Sequence, residues 1–397
     1  MTGTLPTDAA PRAATIEMLR RLVGFDTVSH NSNLALIDYV REYLAGHGIA
    51  SHLVHDASKT KANLYATIGP NAEGGVVLSG HSDVVPVDGQ PWTASPFALV
   101  ERDGLLYGRG TSDMKGFIAA ALALVPEFKR RSLKRPIHIC ISHDEEVGCI
   151  GIPSLVEQLG RDLPQPAIAI VGEPTSMRVA TAHKGINALT TVITGRDGHS
   201  SRPSAGANAI LFMGRVLGEL ERFADHLRQQ GDKAAVPGVE FDPPWTTLSV
   251  GTVHGGTAIN IIARECRIDW EFRPLPGVDA AQVVREFEAA VVPIRAAIKA
   301  AAPEGDLATR LVLGSPALKP EPNGIAEALA LRLTGSNRAI AVSYGTEAGH
   351  FQQHGISTVV CGPGDIAQAH KPDEFIAPTQ LGACEAFLMR LADWAAA

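Results

Sequence analysis

Cysteine is scarce in this sequence, and the few thiols form none of the patterns that mark a disulfide framework or a thiolate metal site. The chain has five cysteines in 397 residues, and no two of them form a CxxC pair. An odd number of scattered cysteines argues against a fold held together by disulfides. Cys140 and Cys361 lie in apolar, strand-like runs, so we expect buried free thiols there.

Long apolar runs and an excess of basic charge are also absent. No uninterrupted apolar stretch reaches the roughly 18 residues that a membrane-spanning helix needs. The N-terminal segment lacks the basic start and apolar stretch of a signal peptide. The 35 basic and 42 acidic residues give a net charge of −7, which argues against a nucleic-acid-binding surface. We therefore expect a soluble cytoplasmic protein with no nucleic-acid or membrane partner.

The composition is that of a globular protein large enough for more than one domain. Apolar residues make up 45% of the chain and charged residues 19%, so a sizeable core can form. At roughly 150 residues per domain, the length predicts two or three domains. No internal repeat, low-complexity tract or long linker interrupts the sequence.

Most of the chain alternates apolar, β-rich runs with helical patterns. The predicted strands cover residues 63–69, 75–80, 137–142, 167–172, 339–345 and 357–362, and the helical patterns cover residues 14–47, 115–131 and 324–334. Alternation of this kind favours an α/β fold with a largely parallel sheet.

The middle of the chain follows a different order. The patterns there are a strand at 186–194, a helix at 208–229, strands at 246–253 and 266–272, a helix at 278–302 and a strand at 308–313. This strand-helix-strand-strand-helix-strand order is the split βαβ, or ferredoxin-like, arrangement. We therefore predict a larger α/β domain of residues 1–181 and 294–397 and an inserted α+β domain of residues 182–293.

Acidic and histidine residues follow four of the predicted α/β strands directly. They occur at 81–83, 143–146, 173 and 365–370, and Asp113 precedes the helical pattern that begins near Lys115. Ligands of open α/β sheets bind outside the carboxyl ends of the strands. We therefore expect these side chains to meet at one edge of one sheet.

Clustered carboxylates and imidazoles of this kind predict a divalent metal centre. The candidate ligands are His81, Asp113, Glu145, Glu146, Glu173 and His370. One zinc ion takes about four ligands, so six candidates suit two ions that share a carboxylate. Adjacent glutamates cannot easily bind the same ion, so one of them is free to move a proton. Taken singly, Asp113 could instead cap a helix, and Glu145-Glu146 could be a solvated loop.

Seven long motifs give the chain a resemblance to a known family. In order they are SGHSDVVPVDGQPWTASPF, LYGRGTSDMKGFIAA, HDEEVGCIG, GEPT, GHSSRP, GGTAINIIARECRIDWEFRPLPG and GPGDIAQAHKPDE. Together they resemble the metallopeptidase family of acetylornithine deacetylase, succinyl-diaminopimelate desuccinylase and glutamate carboxypeptidase. The versions GTSDMKGF and SYGTEAGHF are most similar to the acetylornithine deacetylase branch. That branch implies hydrolysis of N2-acetyl-L-ornithine to ornithine and acetate in arginine biosynthesis.

The resemblance also implies a role for each candidate. His81, Asp113 and Glu173 would hold one ion, and Asp113, Glu146 and His370 the other, with zinc expected and cobalt as the alternative. Asp83 would hydrogen-bond the imidazole of His81. Glu145 would be the general base toward a metal-bridging hydroxide. His199, from the inserted lid domain of a partner subunit in a homodimer, would stabilise the oxyanion.

Substrate recognition follows from the chemistry of an N-acyl amino acid. Arg273 is the predicted partner of the α-carboxylate because a guanidinium binds a carboxylate in bidentate fashion. Asn260 would add a donor, and Glu347 would face a cationic side-chain amine; Lys184 and Arg202 are further basic candidates. The alternatives are a domain-boundary ion pair for Arg273, a turn role for Asn260 and a plain loop acid at Glu347.

Three functional hypotheses remain at this level. The first is a deacetylase of acetylornithine. The second is another activity of the same family, namely a desuccinylase, a carboxypeptidase or a deacylase of other N-acyl amino acids. The third is a metal- or amino-acid-binding protein on the same scaffold, which should lack the base or a ligand, and the sequence retains every one of them.

Overall fold

A computed structural model describes residues 3–231 and 239–397 and divides the chain into two compact units. Unit 1 comprises Met1–Ala182, Leu318–Ala341 and Thr346–Ala397. Unit 2 comprises His183–Ala317 and Val342–Gly345. The acidic strand ends of the sequence pattern all belong to unit 1.

Helices occur in both units. In chain order they are α1 (Ala13–Val23), α2 (Leu34–Gly46), α3 (Lys115–Ala123), α4 (Val125–Arg130), α5 (Ile152–Val156), α6 (Ala209–Gln229), α7 (Ala280–Ala301), α8 (Ile325–Thr334), α9 (Ala348–Gln353) and α10 (Pro378–Ala396). Two of the predicted helical patterns are each divided. The pattern at 14–47 is broken after α1, which Gly24 ends. The pattern at 115–131 is broken at Leu124, because Pro126 lies in the first turn of α4 and cannot donate a helical hydrogen bond.

The strands include every predicted one and several short additions. In chain order they are β1 (Ser51–His55), β2 (Ala62–Ile68), β3 (Val76–His81), β4 (Val100–Arg102), β5 (Leu105–Tyr107), β6 (Ile137–Ser142), β7 (Ile168–Pro174), β8 (Ala180–His183), β9 (Ile186–Thr194), β10 (Gly198–His199), β11 (Thr247–Gly255), β12 (Ile261–Ile262), β13 (Glu265–Arg273), β14 (Asp306–Ser315), β15 (Ile340–Val342), β16 (Ser357–Gly362) and β17 (Phe375–Ile376).

The main sheet carries the acidic strand ends. Its order is β1-β2-β6-β3-β7-β16-β8-β15. The central strands β6, β3, β7 and β16 are parallel neighbours, whereas β1, β2 and β8 pair antiparallel. This largely parallel α/β arrangement confirms the predicted fold class, and it aligns the carboxyl ends of the four strands that precede the candidate ligands.

Burial on both faces explains why the central strands are continuously apolar. Every residue of β3, β6 and β7 is buried, and helix α3, which follows Asp113, is buried along its whole length. A Cβ atom on Gly172 would lie 2.0 Å from the ring of Phe117 on α3. Glycine at this position therefore lets α3 approach β7 closely beside Glu173.

Unit 2 is a sheet of four antiparallel strands with two helices. Its order is β11-β13-β9-β14, the strand order of the predicted ferredoxin-like arrangement. Burial alternates along β13, and its buried side chains form one core with α6 and α7 that includes Trp270, Leu220 and Phe287. The second boundary differs from the predicted 293/294, since the compact unit runs to Ala317. Helix α7 continues through Pro293, and β14 completes the sheet.

The described residues also test the predictions about the cysteines and about membrane-spanning helices. All five cysteines are buried free thiols, as predicted for Cys140 and Cys361. In the described ranges, we find no helix with the length and apolar character needed to span a bilayer.

Candidate metal centre

The carboxyl ends of three parallel strands bring the first candidate residues together. His81 is the last residue of β3, and Glu173 lies near the end of β7. Glu145 and Glu146 follow β6, whose Ser142 pairs in register with His81. The loop of Asp113 leads into the buried helix α3. A buried strand or helix next to each of these residues fixes the position of its side chain.

Asp113 lies between two imidazoles that are far apart in the sequence. Its Oδ1 is 3.1 Å from Nε2 of His81, and its Oδ2 is 3.3 Å from Nε2 of His370. The N-cap residue of α3 is Met114 and not Asp113, which argues against the helix-cap alternative. One carboxylate thus presents one oxygen to each of two separate imidazole nitrogens.

Each of the two imidazoles also has a second carboxylate beside it. Oε1 of Glu173 is 3.7 Å from Nε2 of His81, and Oε2 of Glu146 is 3.0 Å from Nε2 of His370. The structure therefore brings all five predicted ligands into one cluster. Two groups in it are compact, His81 with Asp113 and Glu146 and His81 with Glu145 and Glu173, each with ligand atoms within 4.8 Å of one another. The division of the five ligands into two metal sites stays a prediction.

Glu145 is placed beside both ligand sets. Its side chain is buried, and the residue is 9% exposed, so the solvated-loop alternative is excluded. The thiol of Cys149 donates to its Oε1 at 3.3 Å. Burial, together with the neighbouring carboxylates of Glu146 and Asp113, raises the pKa of Glu145 to about 8. A carboxylate with a raised pKa is a stronger base, which is what proton transfer near neutral pH requires.

Asp83 acts on the site differently from the prediction. Nδ1 of His81 donates to the main-chain carbonyl oxygen of Asp83 at 2.9 Å, while the Asp83 carboxylate is 3.8 Å away. That carboxylate instead accepts from the backbone N–H groups of Glu145 at 3.1 Å and Glu146 at 3.2 Å. Donation from Nδ1 leaves Nε2 with a lone pair for a metal. The Asp83 carboxylate fixes the loop that carries the two glutamates.

The charge of the cluster fits divalent cations. Among the described residues, the carboxylates of Asp83, Asp113, Glu145, Glu146 and Glu173 have little exposure and lie near the imidazoles of His81 and His370. Burial and the charge of Asp113 raise the pKa of Glu146 to about 7 and that of Glu173 well above its usual value. Oε1 of Glu173 is buried without a hydrogen-bond partner in the described chain. The mutual repulsion of these carboxylates and the unpaired oxygen of Glu173 are both compensated when divalent cations bind between them.

The predicted oxyanion and substrate residues of the inserted domain all lie in unit 2. His199 is exposed on β10, and its Nδ1 accepts from Oγ of Ser201 at 2.8 Å. Asn260 is exposed, and its carbonyl oxygen accepts from the N–H of Ser200. Arg273 ends β13 and forms an ion pair with Glu271 at 3.0 Å. Their predicted roles stay predictions.

The two further basic candidates have different surroundings in unit 2. Lys184 is buried, and its Nζ donates to the carbonyl oxygens of Pro243 and Trp245, both at 2.8 Å. Arg202 is exposed. The ammonium of Lys184 is therefore already engaged with backbone, and Arg202 stands open to solvent.

Glu347 is buried against two strands of the main sheet. It is 1% exposed, and its two carboxylate oxygens accept from the hydroxyls of Ser79 on β3 and Ser142 on β6. Burial raises the pKa of this carboxyl group. The placement excludes the plain-loop-acid alternative and favours a role in holding β3 and β6 together. Contact with a substrate amine stays a prediction.

Sequence reasoning missed a buried ion pair next to the ligands. Arg109 and Glu374 lie in the motifs that contain Asp113 and His370, and their side chains are 2.8 Å apart and each 1% exposed. The motifs that carry the two residues were visible in the sequence, but neither burial nor pairing can be read from residue type alone.

Similarity to known proteins extends over nearly the whole chain. The family model for peptidase family M20/M25/M40 matches residues 77–394. An acetylornithine deacetylase of Myxococcus xanthus is 38% identical, with 98% of each chain covered. An acetylornithine deacetylase of Pasteurella multocida is 35% identical, with 91% of this chain and 92% of that one covered. Among solved structures, a dinuclear metal-binding peptidase of the M20 family from Bacillus subtilis has a TM-score of 0.64 at 17% identity, with 95% and 96% covered.

Proposed function

The chain belongs to peptidase family M20/M25/M40, and on that premise we propose that it is a two-metal amidohydrolase that deacetylates N2-acetyl-L-ornithine in arginine biosynthesis. Family membership and the named relatives make it a hydrolase that acts on amide C–N bonds. The metal centre, the substrate, the pathway and a cytoplasmic location are the proposed parts.

One observation carries the two-metal proposal. Asp113 directs one carboxylate oxygen to His81 and the other to His370. Glu173 stands beside the first imidazole and Glu146 beside the second. Two imidazole-carboxylate sets that share Asp113 suit two divalent ions, zinc or cobalt, because both accept nitrogen and oxygen ligands.

Glu145 is the proposed proton carrier. Bound divalent ions would supply Lewis-acid activation of the amide carbonyl and of a water molecule. Glu145 then accepts a proton from the attacking water and delivers it to the nitrogen of the departing amine. The C–N bond breaks, and the products are acetate and ornithine. The thiol of Cys149 and the buried surroundings hold the Glu145 side chain in place for both transfers.

The acetylornithine assignment is supported by two relatives. Both are named acetylornithine deacetylase, and the match extends over nearly the whole of each chain. Their names describe those proteins, so the substrate of this chain needs its own test. The alternative is a desuccinylase of N-succinyl-diaminopimelate or a deacylase of other N-acyl amino acids.

A substrate panel measured with and without chelator tests the proposed function. We expect kcat/KM for N2-acetyl-L-ornithine to exceed that for N-acetyl-L-methionine and N-succinyl-diaminopimelate by at least about tenfold, the scale of one charged contact. A chelator should abolish all activity, and zinc or cobalt should restore it, whereas zinc-saturated chelator should have no effect. A higher value for either other substrate would reject acetylornithine, and activity in excess chelator would reject the metal centre.

With R273A, KM should rise for all three substrates, since each carries an α-carboxylate.

A homodimer through unit 2 is the second part of the proposal. Strand β11 is an edge strand whose residues are largely exposed, including Val250 and Val253. Exposed apolar side chains on an unpaired edge favour association. Since Nδ1 of His199 accepts from the backbone N–H of Ser201 at 3.2 Å, the imidazole hydrogen lies on Nε2, where it can be donated to an oxyanion. We propose that His199 serves the metal centre of the partner subunit.

A mixed dimer distinguishes action in the partner from action in the same chain. We expect E145Q and H199A homodimers each to be nearly inactive. A heterodimer of the two variants, isolated with two affinity tags, has one complete site if His199 acts across the dimer. It should show about half of the wild-type activity per dimer. An inactive heterodimer, or a wild-type protein that is monomeric at assay concentrations, would contradict this proposal.

A further inference from the structure

The carboxylate of Glu374 is the anchor of the Asp113 loop. Its Oε1 accepts from the backbone N–H groups of Ser112 at 2.9 Å and Asp113 at 3.1 Å. Its Oε2 accepts from the N–H of Gly110 at 3.0 Å and from the guanidinium of Arg109 at 2.8 Å. Four donors from one loop therefore converge on a single carboxylate that is almost completely buried.

Arg109 extends this anchor to the segment that carries His370. Its guanidinium also donates to the carbonyl oxygen of Lys371 at 3.2 Å and to Oε1 of Gln90 at 2.6 Å. The amide of Gln90 in turn donates to the carbonyl oxygen of His370 at 3.1 Å. Glu374 itself lies four residues beyond His370. The pair therefore joins the Asp113 loop to both ends of the His370–Glu374 segment.

His370 needs such support more than the other histidine does. His81 ends a buried strand, and its Nδ1 is held by a backbone carbonyl. The side chain of His370 is 55% exposed, and its backbone has a φ of 64°, a conformation that few non-glycine residues adopt. The position of this imidazole is therefore set by the loop that carries it.

General stability does not account for the pair. Replacing a buried ion pair by apolar side chains is often neutral or stabilising, and Nε of Arg109 is buried without a hydrogen-bond partner among the described residues. The pair instead fixes the Asp113 loop against the His370–Glu374 segment, and each of these carries a proposed ligand of the same ion.

We propose that Glu374 and Arg109 are positioning residues that set the affinity of the Asp113, Glu146 and His370 site for its divalent ion. The inference rests on the proposed two-metal function. Hydrogen-bond partners that orient ligands typically contribute about 10–100-fold to metal affinity. The site of His81, Asp113 and Glu173 keeps two ligands on buried strands, His81 and Glu173, and should be affected less.

Titration of metal-free protein with Co²⁺, followed by its visible absorption, tests this inference. The wild type should bind two equivalents. In E374Q the charge is lost and an amide group faces backbone donors, so we expect the first equivalent to be retained and the second to bind about 10–100-fold more weakly. The matched control is E385Q, because Glu385 is also a buried carboxylate that accepts from the N–H of Arg12 in unit 1. It should bind both equivalents as the wild type does.

The outcomes separate this inference from the proposed function. A wild type that binds no stoichiometric Co²⁺ would contradict the two-metal function itself. A wild type that binds two equivalents, with E374Q identical to it or E385Q equally weakened, would overturn only the positioning role. If E374Q does not fold, R109K carries the test, because it keeps the charge but loses the fork that reaches Glu374, Lys371 and Gln90. Equal binding by R109K and wild type would then overturn the inference.

Discussion

Replacement of Glu145 by glutamine should lower kcat by about 10²–10⁴-fold, the usual contribution of a general base, while both metal ions stay bound. The substitution keeps the size of the side chain but removes its capacity to accept a proton. Because burial raises the pKa of Glu145 to about 8, the wild-type carboxylate is a strong base for its residue type. The measurements are steady-state kinetics and metal content per chain, with E157Q at an exposed position as the matched control.

The metal content of E145Q decides between two roles that the geometry allows. Glu145 also lies within ligand distance of His81 and Glu173, so it could bind an ion directly. Loss of one ion together with activity would assign Glu145 as a ligand. Retention of both ions with near wild-type kcat would remove it as the base.

Replacement of Asp113 by asparagine should remove both ions and lower kcat/KM by roughly 10³-fold or more. Each of its two oxygens faces a different imidazole, and asparagine offers only one oxygen acceptor. The loss of Lewis-acid stabilisation is worth several kcal/mol, and each 1.36 kcal/mol is tenfold in rate. Metal analysis and kinetics should be compared with D162N, where the acid is exposed and pairs with Arg161.

A D113N protein that keeps two ions would show that Asp113 is not shared between them. A protein that keeps one ion and much of its activity would place the chemistry at a single ion. In either case the observed position of Asp113 between His81 and His370 would need another explanation.

The α/β fold and the clustering of the candidate ligands could be predicted from the sequence. Apolar runs such as 137–142 and 357–362 match β6 and β16 residue for residue, because strands buried on both faces are continuously apolar. Once those strands are parallel, residues that follow them meet at one edge. That rule predicts that His81 and Glu173 lie close together, although the sequence itself gives no distances.

The boundary and the finer contacts could not be predicted in this way. Helix α7 crosses the predicted boundary at 293/294 without a linker signal, because a compact unit is defined by contacts and not by composition. The partner of the His81 imidazole is the carbonyl of Asp83 and not its carboxylate. Likewise, the burial of Glu347 and the pairing of Arg109 with Glu374 depend on residues more than two hundred positions apart in the chain.

Anomalous diffraction from crystals grown with zinc, recorded on both sides of the zinc absorption edge, tests the central claim most directly. The account predicts two peaks in unit 1, one between His81 and Glu173 and one between Glu146 and His370, with an oxygen of Asp113 coordinating each. A single peak, or peaks away from Asp113 at full zinc occupancy, would contradict the proposed two-metal centre.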